Sequence, residues 1–224
     1  MSKKKRKNSN YHYNVETIQP EVQTLSRKTI ITIAIAAVLV IALIAGIVAC
    51  NVIKNKPLYA EMKFEGIEGS VIVELYPGEA PITVKNFVDL VEDGFYDGLT
   101  IFRAQKSFVI QGGKDDKADL PEIKGEFSEN GVSNKISHTR GVISMARTND
   151  PNSATSQFFI TLDDSAKYSL DGKYAGFGHV VEGMDVVDAI ASSLLSKTPL
   201  NNMGFVADSD AITITSIKMI DYNK

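Results

Sequence analysis

The chain contains no tryptophan, a single cysteine and only three histidines in 224 residues. One cysteine excludes an internal disulfide framework, so stability has to come from a packed core. No two His or Cys residues stand at metal-site spacing, and the Asp115–Asp116 pair lacks the glycine and terminal glutamate of a calcium loop. A glycine-rich phosphate loop and a Gly-x-Ser-x-Gly elbow are missing too, which removes the usual signs of nucleotide binding and serine hydrolysis. His12 lies in a polar leader. The sequence places His138 on a surface loop and His179 at an exposed strand position, and no motif supports a Ser-His-Asp grouping.

Clustered cation is missing from most of the chain as well. Residues 1–56 hold nine Lys or Arg against two Glu, a net of +7, whereas residues 57–224 hold fifteen against twenty-five acidic residues, a net of −10. An acidic domain without a basic stripe argues against nucleic acid as a partner.

Between the two halves runs Ile30 to Cys50, twenty-one residues without a charge. As a helix it reaches roughly 30 Å, the hydrocarbon thickness of a bilayer. Lys3, Lys4, Lys5, Arg6, Lys7, Arg27 and Lys28 precede it and only Lys54 and Lys56 follow closely. The cation bias therefore places the N-terminus in the cytoplasm and the acidic domain outside the cell membrane. The run ends in Ile47-Val48-Ala49-Cys50, similar to a lipoprotein cleavage box, so lipidation of Cys50 stands as the alternative to an uncleaved single-pass anchor. The expected layout is a basic leader over 1–29, a membrane helix over 30–52, a linker over 53–57 and one domain over 58–224.

Within that domain the apolar period changes from two to 3.6 and back. Ala60, Met62 and Phe64 alternate with charged residues, and "SVIVELYP" follows as a second strand. Val84, Phe87, Val88 and Val91 mark a helix with Pro81 near its start and Gly94 beyond its end. Further strands are predicted over 100–104, 108–111, 141–146, 157–162, 176–181 and 212–220. A second helix begins at about Met184, with Val187, Ile190, Ala191 and Leu194 on one face. Many short strands with two helices predict a mainly β, closed or nearly closed antiparallel barrel capped by the helices.

"FVIQGG", "SMAR", "SQFFITL" and "LDGKYAGFGHVVEGM", in this order and spacing, resemble the cyclophilin-type peptidyl-prolyl cis-trans isomerases, in their bacterial form, over nearly all of the chain from Ala60 onward. The resemblance implies an eight-stranded barrel with two helices and a catalytic role for Arg103. It implies a proline pocket lined by Phe108 and Phe159, with Leu170 and Tyr174 as further wall. It also implies that Gln111 and Gln157 hold the peptide and orient the arginine, while Ala146 and Arg147 offer backbone along the substrate's path. Phe158, on the opposite side of the strand from Gln157 and Phe159, belongs to the core.

The chemistry suits these residue types. An X–Pro bond interconverts over a barrier of roughly 18–20 kcal/mol because twisting destroys amide resonance. At the twisted state the prolyl nitrogen regains its lone pair, and a guanidinium aimed at it binds that state better than either planar one. Neither nucleophile, metal nor other cofactor is required. The expected partners are proline-containing polypeptides and, through the helix, the membrane; the domain is expected to be monomeric.

Four small differences from the family's pattern stand out: Phe102 replaces a common histidine, Arg147 a common asparagine, Tyr174 a common histidine, and Tyr168-Ser169 stand in the neighbourhood where drug-binding members carry a tryptophan. The acidic stretch "KDDKADLPEIKG" replaces a glycine- and threonine-rich loop beside the site for residues preceding proline. The expected function is isomerisation that assists folding of exported or surface proteins; the alternative is a non-catalytic peptide-binding chaperone module on the same fold.

Overall fold

The structure, a computed structural model, describes residues 25–223, with backbone alone over 49–54. His12 and most of the basic leader therefore lie outside the described residues, as does the Cys50 side chain. The chain divides into two compact units at Val48/Ala49. In the first, helix α1 (Arg27–Lys54) begins. Its Arg27–Val48 portion has a mean hydropathy of 3.1 over its most apolar window and is long and apolar enough to cross a bilayer, a test that signal sequences also pass.

The second unit contains all eight expected strands: β1 (Leu58–Phe64), β2 (Val71–Leu75), β3 (Thr100–Gln105), β4 (Val109–Gly112), β5 (Val142–Met145), β6 (Phe158–Thr161), β7 (Ala175–Glu182) and β8 (Ile212–Ile220). Every pairing is antiparallel. The order β1-β2-β7-β5-β6-β4-β3-β8 closes on itself, which leaves the barrel no long free edge. Two longer helices, α2 (Pro81–Glu92) and α4 (Met184–Leu195), cover it, and a one-turn helix α3 (Lys167–Leu170) precedes β7.

Helix α2 starts at Pro81, whose fixed φ suits the first turn, but Ala80 before it offers no capping side chain. The need is met from afar. Buried Glu126 accepts the Ile82 and Thr83 backbone N–H groups at 3.1 and 2.8 Å and the Thr83 hydroxyl at 2.8 Å. The helix then buries Val84, Phe87, Leu90 and Val91 against the barrel, and Phe87 packs edge-on to Phe158 at 6.0 Å.

The barrel interior follows strand alternation. Ala60, Met62, Val73, Ile110, Ile143, Phe158, Ile160 and Ile214 point inward into one continuous core. Gly112 is needed where β4 crosses β3, since a Cβ there would meet the Thr100 carbonyl oxygen at 2.6 Å. Strands β5 and β6 are buried on both faces. Their outward residues are covered by the segment leading to β5 and by α3, and a second, smaller cluster of Val109, Phe159, Ala166 and Leu170 forms there, outside the barrel.

Candidate active site

Alternation breaks once on β3. Ile101 and Ala104 both enter the core, an odd separation that is possible only because the β3–β4 register shifts between Ile101 and Arg103. The extra residue is Phe102. This bulge turns Arg103 onto the barrel's outer face, opposite Gln111, which in turn stands opposite Phe159 on β6. Phe159 faces Ser144 on β5. One lateral row thus carries a cation, an amide, an aromatic ring and a hydroxyl across four strands.

Arg103 is half-buried, and its fork is held by neutral acceptors. It donates through Nε to the Met203 carbonyl at 2.7 Å, through Nη1 to Gln111 Oε1 at 2.7 Å and through Nη2 to Gln105 Oε1 at 2.8 Å. Gln111 passes the constraint on, donating to Gln157 Oε1 at 3.0 Å. Among the described residues no carboxylate pairs with the guanidinium. Three of five N–H groups are used, which leaves one on each of Nη1 and Nη2 for a ligand. Burial lowers its pKa, with Tyr174 opposing, but a guanidinium remains charged.

Beside Arg103 lies a cavity of about 140 Å³, and eight of the nine residues expected from the sequence line it: Arg103, Phe108, Gln111, Ala146, Arg147, Phe159, Leu170 and Tyr174. The ninth, Gln157, reaches the site through Gln111. Val109 also lines the cavity and was not expected; its outward register two residues before Gln111 was the available signal. Phe108 sits before the strand, not on it, because Ser107 turns the chain through the left-handed region at φ 54°. Tyr174 meets Phe159 edge-on at 5.6 Å. Phe158 is buried in the main core, as alternation requires.

Arg147 contributes more than backbone. Its guanidinium lies over the rings of Tyr174 and Phe127 at 4.7 and 5.1 Å and donates to the Lys173 and Thr148 carbonyls. It is thereby a fixed part of the pocket wall. The Ala146 N–H is taken by the Gln157 carbonyl at 2.8 Å. In the acidic stretch after Gly113, Leu120 and Ile123 pack on the core and Ile123 bridges to Ala154, so this segment is anchored at its apolar positions.

Two histidines differ from expectation. His138 is 1% exposed, not on the surface. Its Nδ1 donates to Asp171 Oδ1 at 2.9 Å, its Nε2 accepts from Ser144 Oγ at 2.9 Å, and its ring stacks against Phe159 at 6.1 Å. The ionised carboxylate can only accept, which sets this tautomer. His179 is half-buried, with Nε2 3.0 Å from the Arg140 carbonyl and Nδ1 2.7 Å from that of Val180. Ser144, His138 and Asp171 do form a linear hydroxyl–imidazole–carboxylate chain. Ser144 is fully buried, however, so no substrate carbonyl can reach it, and the chain props up the pocket floor. Among the described residues no His, Cys, Asp and Glu group could hold a metal ion.

The fold is a closed eight-stranded antiparallel barrel that carries its pocket, with Arg103 at the edge, on the outer face. A family model for the cyclophilin type peptidyl-prolyl cis-trans isomerases matches residues 59–218, and the chain belongs to that family. It is 44% identical over 132 residues to a peptidyl-prolyl cis-trans isomerase of Acinetobacter baylyi, covering 55% of this chain and 68% of that one. Over 133 residues it is 38% identical to peptidyl-prolyl cis-trans isomerase B of Escherichia coli, covering 57% and 81%. The crystal structure of a Cryptosporidium parvum cyclophilin type isomerase aligns with a TM-score of 0.62 at 24% identity, over 75% of this chain and all of that one, a likeness of fold.

Proposed function

We propose that residues 58–224 isomerise X–Pro bonds in exported or surface polypeptides, with Arg103 as the catalytic donor. The observation that carries this reading is the pairing of a cavity of about 140 Å³, walled by Phe108, Phe159, Leu170 and Tyr174, with a guanidinium whose fixed partners are all neutral and which has two N–H groups to spare. A cation balanced by a carboxylate would have less field to offer the prolyl nitrogen; this one is unbalanced. Phe108, Phe159, Leu170 and Tyr174 take up the proline ring and exclude water, which strengthens the hydrogen bond made at the twisted state. Gln111 and Gln157 lock the guanidinium at the rim, so little reorganisation remains to be done during the reaction.

The apolar stretch supplies the address. A leader over 1–29, a span over 30–52 and a linker over 53–57 would leave the acidic domain outside the cell membrane, in keeping with the cation bias at the two ends of the helix. Clients would then be chains emerging from export.

The test is a protease-coupled proline-peptide assay on the detergent-solubilised full chain. Catalysed isomerisation above the uncatalysed rate is the expected result. Peptide binding without acceleration would replace the enzyme by the chaperone-module reading.

A further inference from the structure

Strand β3 is paired to β8 only at Thr100 and Ile101, so from Phe102 onward that edge would be bare. The chain between α4 and β8 fills it. Ala104 N donates to the Gly204 carbonyl and Val206 N to the Phe102 carbonyl, each at 3.0 Å, and an antiparallel bridge sets Arg103 opposite Phe205. Directly opposed residues in such a bridge project to the same face. Accordingly, the Phe205 ring lies 5.5 Å from the guanidinium carbon of Arg103 and stacks on Phe102 at 5.8 Å. The neighbouring Met203 carbonyl takes the Arg103 Nε–H. Gly204 makes this approach possible: its φ is +80°, and a Cβ there would stand 2.0 Å from the Ala104 carbonyl oxygen.

We infer that the Met203–Phe205 segment is a platform that positions Arg103, with Phe205 as a positioning residue for isomerisation. The bulge at Phe102 sets the face from which Arg103 leaves the strand, but the strand alone does not fix the torsions of its long side chain. The platform does so from below, while Gln105 and Gln111 fix the two Nη atoms. An aromatic face stabilises a cation without neutralising it, and a carbonyl does the same, so the field at the rim is preserved. The stacking of Phe102 on Phe205 also gives the bulged residue a packing partner in the same segment. The inference rests on the isomerase reading for its kinetic consequence and on geometry alone for the ordering of Arg103.

The experiment compares wild-type, Phe205→Leu and Phe205→Tyr full chains in detergent. Leu keeps an apolar side chain but removes the π face; Tyr keeps the face, and its hydroxyl has room because Phe205 is half-buried. Isomerisation is followed by exchange NMR and the Arg103 Nε–H by nitrogen–proton correlation in arginine-labelled protein. The expected result for Phe205→Leu is a kcat lower by about threefold to thirtyfold, KM within about twofold, and an Nε–H that exchanges faster, with Phe205→Tyr close to wild type in all three. An unchanged kcat and Nε–H signal in folded Phe205→Leu would overturn the inference, as would a Tyr variant no better than Leu. If the wild-type chain does not isomerise, the isomerase reading falls, and the Nε–H comparison alone decides whether Phe205 orders Arg103.

Discussion

His138 lies 2.9 Å from Asp171 in a site where the imidazole is almost completely enclosed, and Ser144 occupies its other nitrogen. Burial lowers the His138 pKa and Asp171 only partly opposes it, so the ring is neutral in the fold at pH 7. The unfolded chain therefore takes up this proton first as the pH falls below about 6.5. Stability is full above that pH and declines as pH drops towards the folded value. The Asp171 carboxyl is also lower than usual; burial raises it, but the bonds from His138 and Ser137 outweigh this, so it adds a second loss in more acid solution. The expected outcome is a His138 imidazole that titrates below about 6.5 by NMR, and a melting temperature whose fall from pH 7 to 5 is shallower in His138→Asn. Titration at or above the ordinary histidine value would contradict the account.

Glu126 tests a different support. It accepts three donors at the start of α2 while 2% exposed. Glu126→Ala leaves those donors buried and unpaired and should cost about 1–3 kcal/mol in denaturant unfolding. Glu126→Gln, which keeps one acceptor, should cost less. Equal stability of wild type and Glu126→Ala would show that water replaces the carboxylate.

The absence of tryptophan has a pharmacological consequence. Cyclosporin-like ligands of the family use an indole N–H, and Tyr168, which stands in that neighbourhood of the sequence, is 82% exposed. A lost hydrogen bond to a desolvated partner costs on the order of 1–3 kcal/mol, about tenfold to a hundredfold in affinity. Weak cyclosporin inhibition with undiminished turnover is expected in inhibitor titration of the peptide assay; tight inhibition would point to a substitute donor.

The membrane address is checked by mass spectrometry of protein extracted from membranes. An uncleaved anchor retains the basic leader from Lys3 to Lys28. A species beginning at a diacylated Cys50 would establish the lipoprotein form instead.

Local pattern was enough for the barrel. Alternation marked β1, a 3.6-residue period marked α2 and α4, and short apolar runs marked the remaining strands, among them β5 and β6, which are buried on both faces. Resemblance located Arg103 and its pocket. What stayed hidden depends on contacts distant in sequence. Met203 binds Arg103 across 100 positions, and Glu126 caps a helix that begins 45 residues before it. The burial of His138 is decided by Asp171, 33 positions on. The Phe102 bulge, too, becomes visible only when Ile101 and Ala104 are seen to share the core. Short-range periodicity carries no information on such pairings.

The central claim is that Arg103 acts on the twisted state of the X–Pro bond. Arg103→Ala removes the donor yet leaves Phe108, Phe159 and Leu170 to accept the proline ring, and Arg103→Lys keeps charge without the planar fork. The most direct measurement is isomerisation by exchange NMR and peptide affinity by titration on the same folded variants. The account expects kcat/KM to fall by roughly tenfold to a thousandfold in Arg103→Ala, about 1.4–4 kcal/mol of transition-state stabilisation, with a far smaller change in affinity. Near-normal isomerisation in Arg103→Ala, or a loss confined to affinity, would contradict it and leave Arg103 a structural cation.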